Sequence, residues 1–266
     1  MHADHEIRRY EDVQFPYSTH LSQNLEFMAH WHHEIELILV LEGQVTMGVN
    51  QQEFLLTAGD IGVSASQDIH YYSRCGKSKL ILLIFRPELV PVSAGWVLHP
   101  QESSPRVFRD PQAADRMVAI HREFTAREQD WKPAVLGHTA VLSCLIGRAL
   151  FPVPALAAPS LQRQRMQKAL DYLETHFRED LTLEQVASQV ALSRWAFSHQ
   201  FSPTVGTHFR AYLNGLRVRE ARRLLSDPAR KVIDVALESG FNSLRSFNRA
   251  FKEQTNTTPR PTVFGA

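Results

Sequence analysis

Near its N-terminus the chain carries side chains whose types and spacing suit metal or ligand chemistry. His30-Trp31-His32-His33-Glu34-Ile35-Glu36 sets two imidazoles two residues apart, with a carboxylate four residues beyond the second. Side chains of an extended strand alternate between faces, so His30, His32, Glu34 and Glu36 share one face while Ile35, Leu37 and Leu39 share the other. Imidazole nitrogens and a carboxylate on one face can hold a divalent metal ion. Among apolar walls the same groups can instead serve as donors and acceptors for a polar small molecule. Trp31, Tyr71, Tyr72 and Trp96 suit stacking on a sugar face or an aromatic ring, although in a small barrel aromatics more often belong to the core.

The elements that would position these residues read as strands. Ile35, Leu37, Leu39 and Leu41 alternate, Glu42-Gly43 turns, Val45 to Val49 returns, and Ala58-Gly59-Asp60 punctuates before Ile61. Short strands at this spacing, continuing to about residue 90, predict a β-sandwich or barrel. From Pro111 the period changes: Met117, Ile120 and Phe124 predict one helix and Val135 to Leu150 a second, strongly apolar one, so helices occupy about 113–150. Three prolines among the small residues of 151–160 then mark a linker between a domain at 1–150 and another at 161–266. Charge divides at the same place. Residues 1–160 hold 13 Lys and Arg against 18 Asp and Glu, a balance of −5, and residues 161–266 hold 16 against 10, a balance of +6. A basic half beside an acidic one suggests a polyanion-binding module joined to something that does not bind polyanions. Cys75 and Cys144 lie far apart without a CxxC partner, which argues against a disulfide framework or a thiolate zinc site; both are expected to be small buried residues. The acidic start Met1-His2-Ala3-Asp4-His5-Glu6 and the short aliphatic runs Ile35 to Leu41 and Leu80 to Phe85 predict a cytoplasmic protein with no membrane partner.

After the linker the sequence is helical and repeats itself. Val186-Ala187, followed by Leu192-Ser193-Arg194-Trp195-Ala196-Phe197-Ser198-His199-Gln200-Phe201, recurs as Val235-Ala236, followed by Phe241 to Phe251. The offset is 49 at the start and 50 at the end. Each copy has a short helix, a tight turn, a Ser or Asn suited to an N-cap, and a second helix whose aromatics four apart form a buried stripe: the pattern of a helix-turn-helix unit. Between them Phe209, Leu213, Leu216, Leu224 and Leu225 predict a connecting helix. With Phe197 and Phe201 turned inward, Arg194, Trp195, Ser198 and His199 face outward; with Phe247 and Phe251 inward, Leu244, Arg245, Asn248 and Arg249 do. Arg reads guanine edges, Asn reads adenine edges, and an exposed Trp or Leu can meet a thymine methyl.

On Leu181 to Ala187, Leu192-Ser193, Phe201 with Gly206, Leu216-Arg217, Ala221, Leu224-Leu225, Val235-Ala236, Gly240-Phe241 and Phe247 to Lys252, the C-terminal half resembles the AraC/XylS family of bacterial transcription regulators. The resemblance covers about Leu181 to Pro259. It implies two recognition helices in successive major grooves, with base reading by the eight outward residues named above. The sequence departs from the family at Asn256 and at Thr262-Val263. His30 to Gly43, as His-x-His-x3-Glu-x6-Gly, resembles the first motif of cupin barrels, and Gly59 followed by His70 keeps the spacing of the second, which departs at Ala65 and Gln67. That resemblance implies His30, His32, Glu36 and His70 as the ligand set of any metal. AraC-type regulators carry a cupin-like barrel as an effector pocket, so the same resemblance implies an all-β cupin-like N-terminal domain with trailing helices and an all-α C-terminal domain.

The chain is thus expected to be a sequence-specific DNA-binding regulator controlled by a small-molecule effector such as a sugar or related metabolite. His30, His32, Glu36, His70, Trp31 and Tyr72 would bind the effector, and no catalytic residue, cofactor or metal is called for. Double-stranded DNA, RNA polymerase and a second copy of the chain are its expected partners. The alternative is a metal-dependent cupin enzyme, of dioxygenase or isomerase type, fused to a DNA-binding tail.

Overall fold

The computed structural model describes residues 15–89, 105–151, 160–227, 229–255 and 257–259. Trp96, most of the 151–160 linker, Asn256 and Thr262-Val263 lie outside the described residues. The chain forms two compact units, one dominated by strands and one by helices.

The first unit contains β1 (Tyr17–Gln23), β2 (Phe27–His30), β3 (Ile35–Val49), β4 (Gln52–Thr57), β5 (Ile61–Ser64), β6 (His70–Ser73), β7 (Ser78–Phe85), β8 (Val107–Phe108), α1 (Pro111–Ala126) and α2 (Trp131–Leu150). Strands β1-β7-β3-β5-β8 pair in that order, while β4 and β6 pair with the second half of β3, and β2 pairs with β6. All of these pairings are antiparallel. β3 therefore belongs to both layers, and Glu42-Gly43 is not the turn that the sequence suggests. The register to β7 shifts between Val40 and Glu42, and the strand continues. Gly43 has φ +75°, and a Cβ there would fall 1.8 Å from the Lys77 carbonyl oxygen, so the glycine bends the strand as a bulge instead of reversing it.

The alternation along β3 gives it two cores. Ile35, Leu37 and Leu39 pack with Met117 and Ile120 of α1 and with Val135, Leu142 and Ile146 of α2. Ile38 and Val40 face the barrel interior with Val45, Met47, Leu56, Tyr72, Leu80, Leu82 and Ile84. Asp110 caps α1 by accepting from the backbone N–H groups of Gln112 and Ala113, and Pro111 occupies its first turn. α2 is long and apolar enough to match a membrane span by composition, a feature the count of aliphatic runs overlooks. Val135, Leu142, Ile146 and Leu150 are nevertheless core residues, and Tyr17 Oη lies 3.1 Å from Thr139 Oγ1 beneath the helix. Among its apolar side chains Val141 is left 46% exposed. Neither cysteine is the buried residue expected: Cys75 is half-buried and Cys144 exposed.

The second unit consists of most of α3 (Leu161–His176) and of α5 (Arg194–Val205), whose first and last residues respectively belong to the other unit, with α4 (Leu183–Gln189), α6 (Phe209–Leu224), α7 (Val232–Glu238) and α8 (Leu244–Thr255). Buried Arg217 of α6 donates from Nε to the Phe177 carbonyl and from Nη2 to the Glu179 carbonyl, each at 2.7 Å, which satisfies backbone acceptors just beyond α3.

Candidate functional sites

The two helical pairs, α4 with α5 and α7 with α8, are built alike. Leu192 N–H donates to the Ala187 carbonyl at 3.0 Å, and Phe241 N–H donates to the Ala236 carbonyl at the same distance. Ser193 and Ser243 open the second helices, each accepting at Oγ from a backbone N–H three residues on, at 3.2 Å. The extra residue of the second copy is therefore in the turn. A capping box starts α4, where Thr182 and Gln185 bond reciprocally. Phe197 and Phe201 pack at 5.1 Å between ring centroids, and Phe247 and Phe251 at 5.5 Å, all buried.

Those stripes fix what faces out. Arg194, Trp195, Ser198 and His199 on α5 are exposed, as are Leu244, Arg245, Asn248 and Arg249 on α8. Trp195 is 74% exposed, unusual for so large an apolar group, and stacks on His199 at 5.2 Å. Arg194 ion-pairs with Glu184 of α4 at 3.0 Å, and Arg249 approaches Glu253 at 3.9 Å. Both pairs are solvent-exposed and hold their arginines weakly. Arg194 and Ser198 also border a cleft of about 420 Å³ with His208 and Arg210. Exposed Arg210, at the start of α6, carries no signal in the repeat and was not anticipated.

In the barrel, His30, His32, Glu36 and His70 come together: one ligand atom from each lies within 4.8 Å of the others. The route is not the single extended strand expected. β2 ends at His30 and β3 begins at Ile35, because β2 pairs with β6 in one layer while the first half of β3 pairs with β5 and β7 in the other. His32 lies in the crossing, where its carbonyl accepts from Gln67 N–H at 2.9 Å. His30 and His70 meet as direct cross-strand partners. Glu36 shares the interior parity of Ile38 and Val40, and its carboxylate is buried.

Each histidine is fixed from behind. His30 Nδ1 lies 2.9 Å from the Met28 carbonyl, His32 Nδ1 3.2 Å from that of Glu34, and His70 Nδ1 3.0 Å from that of Asp68. A carbonyl only accepts, so each Nδ1 carries a hydrogen, and Nε2 is the nitrogen that each ring offers to the cluster. Burial, and then His70 and His32 beside it, holds the His30 imidazole well below its ordinary pKa. Asp68 is itself anchored: fully buried, it faces Arg106 at 3.2 Å and accepts from Asn50 Nδ2 at 2.9 Å and Ala65 N–H at 3.0 Å. Nothing in the spacing of these residues announced that anchor. Tyr72 is buried in the interior with its ring 6.1 Å from His70. Trp31 is half-buried and packs edge-on against His33 at 5.6 Å.

A β-rich domain with a buried polar cluster, followed by paired helix-turn-helix units, defines a DNA-binding regulator with a ligand-binding domain. Comparison with known families gives the same division, since the AraC-like ligand binding domain matches residues 15–141 and a helix-turn-helix domain matches residues 186–263. The chain belongs to the AraC/XylS family of transcription regulators. It is 28% identical over 244 residues to the transcriptional activator RhaS of Escherichia coli, covering 88% of this chain and 87% of that one. A regulator of Staphylococcus aureus is 35% identical over 100 residues, which are 38% of this chain and only 13% of that much longer protein. The fold resembles that of apo ToxT from Vibrio cholerae, with a TM-score of 0.50 at 13% identity over 94% of this chain and 97% of that one.

Proposed function

We propose that the chain is a cytoplasmic, effector-controlled regulator that reads DNA with α5 and α8 in successive major grooves. The observation that carries this is the pair of equivalent helices, each anchored by two buried phenylalanines and each presenting Arg with Trp, His, Leu or Asn to solvent. Arg194, Trp195, Ser198 and His199 would read one groove and Leu244, Arg245, Asn248 and Arg249 the next, while Arg210 would meet a phosphate beside the first. Enrichment of bound sequences from a random DNA pool should yield two short boxes one helical turn apart, about 10 bp. An unenriched pool would overturn the reading.

The barrel is the effector site on this reading, with His30, His32, Glu36, His70 and Tyr72 around the ligand and Trp31 at its edge. A sugar or related metabolite suits the mixture of donors, acceptors and aromatics. Its control of DNA binding is thermodynamic, limited to the difference in its affinity for the DNA-competent and incompetent states. Thermal stabilisation by one class of metabolite, lost on substitution of these residues, is the expected signature. The likeness to an activator supports activation through RNA polymerase. A homodimer would form through the first unit, by the face of α2 that carries Val141 and Cys144.

A further inference from the structure

Resting on the regulatory reading above, we infer that the buried loop between β5 and β6 carries the state of the barrel site to α3. Asp68 is its positioning residue, and Arg163 receives the change. The loop runs between Ser64 and His70, and Ala65, Ser66, Asp68 and Ile69 in it are buried. It holds two of the site's histidines. The Gln67 N–H donates to the His32 carbonyl at 2.9 Å, and the Asp68 carbonyl lies 3.0 Å from His70 Nδ1. Turning either residue to meet a ligand therefore disturbs a bond made by the loop's backbone.

The Asp68 carboxylate reaches the other way. Its Oδ1 accepts from Asn50 Nδ2 at 2.9 Å, from Arg163 Nη1 at 3.1 Å and from Arg106 Nη2 at 3.4 Å. Its Oδ2 accepts from the Ala65 N–H at 3.0 Å and faces Arg106 Nη1 at 3.2 Å. Asp68, Arg106 and Arg163 are all buried, so water does not screen these charges. One residue thus binds the site through its carbonyl and Arg163 through its side chain, and neither contact can shift without moving the other.

Arg163 lies in the first turn of α3. Ser160 starts that helix by itself, accepting at Oγ from the Arg163 N–H at 3.2 Å and at its carbonyl from the Gln164 N–H at 3.0 Å. The ion pair is not needed to form α3; it fixes where the first turn stands. The first unit extends to Gln164, and α3 continues unbroken to His176 with its residues from Arg165 onward in the second. A helix is stiff, so a displaced first turn acts on the residues that follow it.

The loop also has a reason to exist in two arrangements. Gln67 has φ +66°, a left-handed conformation that costs a side-chain-bearing residue free energy and persists only while its surroundings impose it. Here the bond to His32 and the Asp68 contacts impose it. Loss of the first lets the strain relax and loosens the second. Arg163 is the contact that can be given up, because Arg106, Asn50 and the Ala65 N–H would still satisfy the carboxylate.

Coupling is reciprocal: if the barrel site alters DNA affinity, bound DNA alters the barrel by the same factor. The test therefore uses the full chain and the DNA duplex enriched from the random pool. Hydrogen exchange is read at the Ala65 and Ile69 amides, which donate to Asp68 Oδ2 and Asn50 Oδ1. DNA should change their exchange by about 5-fold or more, and Arg163→Gln should abolish that response while still binding the duplex in fluorescence anisotropy. Bound DNA that leaves both amides unchanged, or a full response in Arg163→Gln, overturns the route. A second arm needs no DNA. His70→Gln should change exchange along residues 166–173 by a similar factor in the natural chain and not on the Arg163→Gln background. Unaltered exchange there refutes the route whether or not the chain reads DNA, and a pool that yields no duplex refutes the DNA reading alone. Should Arg163→Gln fail to fold, Arg163→Lys keeps the charge with a different reach and should reduce both responses; responses of full size in it count against the route.

Discussion

The two helix-turn-helix units turn at equivalent positions with different residues, both in the left-handed region, so glycine should be the more stable residue in both copies although only the second has it. Ala191 has φ +53° and Gly240 φ +88°, and the N–H of each donates back three residues, to the Ser188 and Leu237 carbonyls. A Cβ at Gly240 would lie 2.6 Å from Arg178 Cα and 2.9 Å from its carbonyl oxygen, and a backbone neighbour cannot swing aside. Left-handed strain of about 1–2 kcal/mol and overpacking of about 1–3 kcal/mol act together there. The entropy an alanine removes from the unfolded chain returns only about 0.4–1 kcal/mol. Gly240→Ala should therefore destabilise the second unit by about 2–4 kcal/mol. Ala191 is exposed, so Ala191→Gly loses no packing and relieves the same strain against the same entropy, a net gain of about 0.5–1 kcal/mol. Hydrogen exchange of the α7–α8 and α4–α5 amides reads the two local opening free energies. Destabilisation by Ala191→Gly, or a Gly240→Ala effect below about 0.5 kcal/mol, would refute the account of the turns.

Asn248→Ala and Arg245→Ala should each cost about 1–3 kcal/mol at the selected site and relax preference at one base. Equal loss on random DNA in fluorescence anisotropy would remove the base-reading role, and log K should fall with log salt by about 0.9 per phosphate neutralised. Arg217→Ala leaves the Phe177 carbonyl without this donor and the Glu179 carbonyl with the Leu181 N–H alone, and should lower stability to urea by about 1–3 kcal/mol; an unchanged midpoint would show that water replaces the guanidinium. Hydrogen bonds from Arg223, and then from Arg178, outweigh burial and hold Glu220 down from 4.5 to about 2. Its stabilisation is thus complete above about pH 4.5 and lost as pH falls towards 2; because both arginines are about half exposed, it amounts to about 1 kcal/mol. Glu220→Gln should flatten that acid limb of the urea midpoint, and an unaltered limb would point to other carboxylates. Sedimentation of the full chain should give a dimer that Val141→Lys dissociates; a monomer at high micromolar concentration would remove the α2 interface.

What could be read ahead of the structure depended on how far a periodicity can be trusted without a partner. In the helical unit the period is self-contained: once Phe197 and Phe201, or Phe247 and Phe251, are inward, the chain's own 3.6-residue turn puts Arg194, Trp195, Arg245 and Asn248 outward. These four, with Ser198, His199, Leu244 and Arg249, are exposed as the sequence implies. A strand's period holds only while its ladder partners persist, and here it failed twice. Glu42-Gly43 has the composition of a turn, yet pairing of Glu42 with Lys79 and Gly43 with Ser78 carries β3 onward through a bulge. His30, His32 and Glu36 have the spacing of one face, yet the chain changes layers between β2 and β3, so their meeting owes nothing to a shared strand. It comes from register. β2 pairs with β6 so that His30 faces His70 forty residues away, and β3 enters with even-numbered side chains inward, which delivers Glu36 to the same point. Neither fact is local, which is why His70 was accessible only through resemblance and the Asp68 anchor behind it not at all. Registers of this kind are strongly determined wherever one face is buried, since a one-residue slip of β3 would send Ile38 and Val40 out of the interior along with Glu36. The apolar packing of the barrel thus holds the polar cluster in position, and substitutions that loosen Ile38 or Val40 should disturb the cluster's chemistry without touching any of its four residues.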